Sequence, residues 1–297
     1  HDSLPRSICV HASTEGFSFV IMSGNMNVWR LDFFMNEVIN TMLSHRSIRA
    51  FQNRPVDENH LDWIIRAVQA SPSWINGQHY SIVAVKDPQR IKRLAELCGN
   101  QKHVREAPLF LVFCADFYRI HLAGQMENIQ MKAFEDIDIL LVGVTDAGIA
   151  LGTAIAAAES LGLGTVPIGA IRKHSMEVVK ELQLPEYVIP VAGLCLGYPA
   201  EDPGQKPRLP KKAVYHEETY RNDLIPDLEQ YNEVYEKYLY ERTNGDWHDR
   251  WTKLVASYYE DFYYHGVRDM LNRQKFPVGP KPEKTAEEKL RLSGKVD

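Results

Sequence analysis

Three short polar clusters carry residue types that bind anions: His45-Arg46-Ser47-Ile48-Arg49, Gly99-Asn100-Gln101-Lys102-His103 and Lys206-Pro207-Arg208-Leu209-Pro210. Guanidinium and hydroxyl groups make charge-assisted hydrogen bonds to phosphate oxygens, and Lys206 with Arg208 could close on the same group from the far end of the chain. The first cluster alone also reads as a solvated helix end whose basic residues complement the helix dipole. Two such clusters in one chain favour a dianion site. No GxGxxG follows a strand pattern, and Walker, HExxH and GxSxG motifs are missing, so the commonest nucleotide, metal and nucleophile signatures are absent and no metal is expected.

Ordered elements must position these clusters. Val38, Ile39, Met42 and Leu43 share one helical face just before the first cluster. Asp57 can cap a helix carrying Leu61, Ile64, Ile65 and Val68, followed by a loop from Ser71 to Gly77. Tyr80 to Val85 reads as a strand, Pro88 to Cys98 as a helix, and Leu109 to Cys114 as a buried strand. Ile139 to Leu163 is apolar and long, but Asp146 and Glu159 interrupt it, which favours a central buried helix over a membrane span. A strand at Thr165 to Ile168, a glycine turn, a helix near Ser175 to Leu182 and a strand at Val188 to Leu196 follow. Four strands with interleaved helices imply layered α/β architecture. From about Tyr220 the pattern is helical, with Tyr231, Val234, Tyr235, Tyr238 and Leu239 on one face and a second helix expected from Trp251 to Leu271.

The 297 residues suffice for one large domain, and 44% hydrophobic with 25% charged residues is an ordinary globular composition. A net charge of −5 without basic runs argues against nucleic acid as a partner. Cys9, Cys98, Cys114 and Cys195 are widely spaced and read as reduced, mostly core thiols of a cytoplasmic protein. Residues 1–34 stand apart as an extension outside the fold, with Met35 as the expected natural start. Phe17 to Met22 is too short for the core of a signal peptide. The domain is expected to span 35–276, including a helical excursion at about 220–276, and the Pro-, Lys- and Glu-rich tail 277–297 is expected to be disordered.

HRSIRAF at 45–51, GNQKHV at 99–104, FCADFYR at 113–119, AAESLGLG at 157–164, and GLCLGYPA then QKPRLP between 193 and 210 occur in that order. Together they resemble the nitroreductase family, specifically its NADPH-dependent FMN reductases and oxygen-insensitive nitroreductases. The resemblance runs from Met35 to about Phe276. It implies an α+β fold of mixed layers, the FMN-dependent nitroreductase-like fold. In it a central sheet, a buried long helix and a helical C-terminal extension form a domain-entwined homodimer, and both chains line each FMN site.

By the same resemblance, His45, Ser47, Lys206 and Arg208 hold the FMN phosphate and nearby ribityl oxygens, with Arg46 beside them. Arg49 approaches the pyrimidine edge, where a fixed cation favours reduction of the ring. Gln101 bonds the ring's polar edge and Ser73 the side facing the Ser71 to Gly77 loop, and Ile168 with Gly169 brings backbone close to the flavin. Arg242 matches an arginine that receives the extra phosphate of NADPH, but the family's second basic position is Trp247 here, with His248 and Arg250 nearby as substitutes. Two further departures are the bulky loop Ser71-Pro72-Ser73-Trp74-Ile75-Asn76 and Pro167-Ile168-Gly169-Ala170 for a family Tyr-Ile-Gly-Gly. Trp74 reads equally as packing or as a substrate wall.

The implied activity is ping-pong transfer from NADPH or NADH through FMN to nitroaromatics, quinones or free flavins. No side chain need act as nucleophile, acid or base. Competing readings are a flavin-binding or delivery protein with little turnover, and the same fold used for reductive dehalogenation or flavin cleavage.

Overall fold

The computed structural model describes residues 8–13, 16–21, 29–32, 36–262 and 264–279, with side chains from residue 36 on. Two compact units divide the chain, His1–His45 and Arg46–Asp297. In the first, β1 (Ile8–Ser13), β2 (Gly16–Ile21) and β3 (Trp29–Asp32) form an antiparallel meander. Helix α1 (Glu37–Leu43) follows, its first turn capped by Asn36, which accepts from Ile39 N at 3.0 Å. The three paired strands lie within the stretch expected to be an extension, and this first compact unit runs to His45.

The second unit begins with α2 (Glu58–Gln69), where Asp57 accepts from Asn59 N at 2.8 Å. Then come β4 (Tyr80–Val85), α3 (Pro88–Leu97), α4 (Lys102–Arg105), β5 (Leu109–Asp116) and α5 (Tyr118–Glu127). They are followed by α6 (Asp138–Ser160), β6 (Gly164–Ile168), α7 (Ser175–Glu181) and β7 (Val188–Gly197). The sheet order is β4-β5-β7-β6, and every pair is antiparallel. Pro167, which cannot donate to a ladder, is tolerated because β6 is an edge strand.

Every residue of β5 is buried, and its two faces feed two cores. Phe110, Val112 and Cys114 pack with α3 and α7, whereas Leu109, Leu111 and Phe113 pack with α2 and α6. Ala147, Ala150, Ala154 and Ala158 give α6 a small-residue face that lies close on the sheet. Although α6 is long and apolar enough to cross a membrane, it docks this way on the sheet of its own chain. Its opposite face leaves Leu141, Val144 and Ile149 exposed. Cys98, Cys114 and Cys195 are buried free thiols, and Cys9 lies outside the described side chains.

The tail contains α8 (Ile225–Arg242), α9 (Trp251–Tyr258) and α10 (Val267–Arg273). The single helix expected from Trp251 to Leu271 is therefore two. The intervening residues are rich in aromatics that lose rotamer freedom in a helix, Asp261 accepts from Phe262 N at 2.6 Å in competition with the helical ladder, and Gly266 precedes α10. The tail expected to be disordered lies outside the described residues from 280 onward.

Candidate active site

The segment after His45 is laid along the edge of the sheet. Ile48 N donates to Thr165 O at 2.9 Å, Gln52 N to Tyr198 O at 2.8 Å, and Ala200 N to Ala50 O at 2.9 Å. Ile48 is buried, and the alternation of an extended chain turns Ser47 and Arg49 the other way. Gly164 makes room for this docking, because a Cβ there would lie 2.7 Å from Cγ1 of Ile48. Gly164→Ala is therefore expected to cost roughly 1–3 kcal/mol by overpacking. It should also weaken FMN retention by displacing the neighbours of Ile48, which equilibrium dialysis can measure; full retention would show that this docking does not set the site.

Acidic residues after β7 hold the segment in place. Arg46 Nε pairs with Asp202 Oδ1 at 2.7 Å, and Glu201 Oε1 accepts from Arg49 N at 2.6 Å and Ala50 N at 3.0 Å. These carboxylates, missed in the sequence, leave the Arg49 guanidinium to act elsewhere. Lys206 has its pKa lowered by desolvation first and then by Arg49, Arg242 and Arg208, although much of its side chain is open to solvent. His103 is lowered by desolvation and then by Arg49, with Glu201 opposing. Arg49, Lys206, Arg208 and Arg242 thus share one positive field, and His103 senses its Arg49 end.

Helix α8 fixes the far half of this field. Tyr231 donates its hydroxyl to Pro207 O at 2.8 Å, while Arg242 Nη1 donates to Pro203 O at 3.2 Å and to the Tyr238 hydroxyl at 2.6 Å. Arg208 Nη1 donates to Lys206 O at 3.2 Å. Holding like charges together raises the free energy of the protonated cluster, and an anionic phosphate relieves that cost. The residues present therefore fit a phosphate-bearing cofactor such as FMN. Arg242, expected to read a different phosphate, lies within the electrostatic reach of Lys206. His45 closes the first unit, one residue before this segment.

The loop bearing Ser73 and Trp74 is bent by left-handed residues, Ile75 (φ 48°), Asn76 (φ 56°) and Gln78 (φ 52°). Such a conformation is costly for a β-branched side chain. Asp146, buried on α6, holds the loop: Oδ1 accepts from Trp74 N at 3.1 Å, and Oδ2 accepts from His79 N at 3.2 Å and His79 Nδ1 at 2.9 Å. Gly77 leaves space for the imidazole, since a Cβ there would lie 2.5 Å from Nε2 of His79. Arg119 secures the loop's exit, donating to Gln78 O at 2.7 Å and Tyr80 O at 2.6 Å. Ser73 Oγ accepts from Gln78 N at 3.1 Å. Trp74 is 58% exposed, which removes the reading of its indole as packing within this chain's core. Among the described residues no hydrogen bond or ion pair joins Ser73 or Trp74 to the cation field.

Sequence reasoning missed His79, Asp146 and Arg119 as supports. Their one signal was an acidic residue inside the apolar run of α6. At the end of β6, Ile168 is buried and Gly169 exposed, and a Cβ on Gly169 would meet only Nη2 of Arg172, at 3.7 Å. A flat group can approach that open backbone. Gln101, at the start of α4, lines a cavity of about 580 Å³ together with Gly99 and Ala170, and so faces the turn that follows Ile168.

A profile of the Nitroreductase family matches residues 42–198, and one of the Nitroreductase family, C-terminal domain, matches 206–278. An FMN reductase [NAD(P)H] of Bacillus subtilis is 48% identical over 247 residues, covering 82% of this chain and 99% of that protein. An oxygen-insensitive NADPH nitroreductase of Salmonella typhimurium is 40% identical over 221 residues, covering 74% of this chain and 90% of that one. The solved structure of B. megaterium NfrA2 superposes with a TM-score of 0.81 at 46% identity, covering 82% of this chain and 100% of that one. With both halves of the second unit matched and relatives aligned over nearly their whole length, the chain belongs to the nitroreductase family.

Proposed function

We propose that this chain is an FMN-dependent NAD(P)H oxidoreductase that reduces nitroaromatics, quinones or free flavins, working as a soluble, cytoplasmic homodimer. The observation that carries the reading is the convergence of Arg49, Lys206, Arg208 and Arg242 on one partly desolvated field. FMN, when bound, supplies a centre that accepts a hydride from the nicotinamide and returns the electrons to an acceptor. Ser47, Lys206 and Arg208, with His45 and Arg46 beside them, are the residues to hold its phosphate end. Arg49, fixed through its backbone by Glu201, contributes a positive charge that stabilises negative charge on the ring. Ser73, Gln101, Ile168 and Gly169 serve the ring, and Arg242 serves the nicotinamide phosphate. In overall balance NAD(P)H and one proton convert a nitroarene to a nitrosoarene and water, or a quinone to its quinol. Donor and acceptor occupy one place in turn, which gives ping-pong kinetics.

Exposed apolar residues support the dimer. Leu141, Val144 and Ile149 on α6 and Met126 and Ile129 at the end of α5 are open in the single chain, and added Cβ atoms at Gly148 and Gly152 would meet nothing within 4 Å. A second copy of the chain would cover this surface. Dimerisation would also let residues of both chains, Ser73 and Trp74 included, line one site.

Anaerobic stopped-flow absorbance of the FMN-loaded protein tests the proposal. Addition of NADPH or NADH is expected to bleach the visible flavin band rapidly, and a quinone or nitroarene should restore it. Bound flavin that neither donor bleaches would overturn the oxidoreductase in favour of a flavin carrier.

A further inference from the structure

The cavity beside Gln101 has a second wall that the proposed function does not use. Cys98, Gly99, Gln101, Ala170 and Lys173 form one side, and Val255, Tyr258, Tyr259 and Tyr264 from the helical tail form the other. Its volume of about 580 Å³ falls in the range of sites for small organic ligands. Tyr264 is anchored, packing against the α3-side core with the Arg172 guanidinium 5.7 Å above its ring, and Arg172 in turn borders Gly169. Tyr258 and Tyr259 remain 66% and 73% exposed. The Cys98 thiol, pushed up to about 12 by burial, stays neutral and adds a soft, apolar floor.

One charge breaks this aromatic lining. The Lys173 ammonium lies over Gly99, 3.4 Å from where a Cβ would stand, and among the described residues it has no carboxylate partner. Gly99 has φ +81°, a left-handed conformation that suits glycine and keeps that wall thin. Aromatic walls select a flat ring, and an unpaired cation among the lining residues selects a negative substituent on it.

We propose that this cavity is the acceptor subsite and that Lys173 makes it selective for planar aromatics carrying a carboxylate or sulfonate. The inference rests on the oxidoreductase reading for the word acceptor, but the selectivity is a property of binding alone. Lys173 touches the ligand's charged substituent, and Tyr258, Tyr259 and Tyr264 contact the ring faces.

The test is equilibrium binding of a redox-inert pair, 2-naphthoate and 2-naphthamide, to the oxidised FMN-loaded protein by calorimetry. The carboxylate is expected to bind roughly fivefold to tenfold more tightly than the amide, the range between an exposed ion pair and a charged hydrogen bond. Lys173→Met should erase that preference, and Lys173→Arg should keep most of it. A naphthoate affinity indifferent to Lys173→Met, or a loss shared equally by the amide, would overturn the assignment. Flavin bleaching by NAD(P)H in the parent protein separates the two failures: a bleaching enzyme with indifferent naphthoate binding loses only this subsite, whereas a protein that never bleaches loses the oxidoreductase reading and with it the acceptor.

Discussion

Asp146→Ala is expected to lose on the order of 3–5 kcal/mol of stability, the range for removing one partner of a buried charged or hydrogen-bonded pair. Two backbone amides and one ring nitrogen converge on this carboxyl group, and both Asp146 and His79 are buried, so alanine leaves these donors without an acceptor. The bonds also offset the conformational cost of Ile75 at φ 48°. Once they are gone, the loop from Ser73 to Gln78 should relax. Urea denaturation measures the first effect and chymotrypsin cleavage beside the exposed Trp74 the second. Asp146→Asn should fall between the two proteins, because its amide can still accept from Trp74 N through its oxygen but presents donors to His79. An alanine variant within about 0.5 kcal/mol of the parent, the range of ordinary surface substitutions, would show that the loop holds its shape without Asp146.

The same residue shows what could and could not be read in advance. Local features were legible: the Asp57 cap, the strands rich in β-branched and aromatic residues, and the fully buried run of β5 all follow from neighbours a few positions apart. Strand direction was not, since alternating helices and strands suit parallel and antiparallel sheets, and the antiparallel order here is decided by tertiary packing. Asp146 stood out as a charge in an apolar helix, and its use as a latch became visible only when the loop 67 residues earlier met it. Glu201 and Asp202 lay unnoticed beside GLCLGYPA because their partners, Arg49 N and Arg46, are more than 150 residues away. The cation field was half legible: the ordered clusters suggested one phosphate site, whereas the electrostatic reach of Arg242 to Lys206 required α8 to fold back along the 203–208 segment. The helix break after Tyr258 escaped the apolar pattern because its aromatics satisfy helical spacing while disfavouring helix.

Lys206→Met should separate the stability of the protein from its hold on FMN. Loss of one charge-assisted contact to a phosphate costs roughly 1.5–3 kcal/mol, which is about tenfold to a hundredfold in affinity. Arg208→Ala should do likewise, and the double variant should depart from additivity because both cations meet one phosphate. Without flavin the sign reverses. The folded-state pKa of Lys206 lies below its unfolded value, through desolvation first and then repulsion by Arg49, Arg242 and Arg208. Between those two values the unfolded chain binds more protons, so the stability of the flavin-free parent rises as pH climbs toward the ordinary lysine value of about 10.4. Below that window the charged Lys206 disfavours the folded state, and methionine removes both the penalty and the alkaline rise. At neutral pH the flavin-free variant should therefore melt above the parent, and with saturating FMN it should melt below it, since a ligand stabilises in proportion to its binding. Crossed melting curves are the signature of a residue kept for its ligand at the expense of the empty fold. Flavin retention equal to the parent's would remove Lys206 from the phosphate site, and parallel losses with and without flavin would make it a structural residue instead.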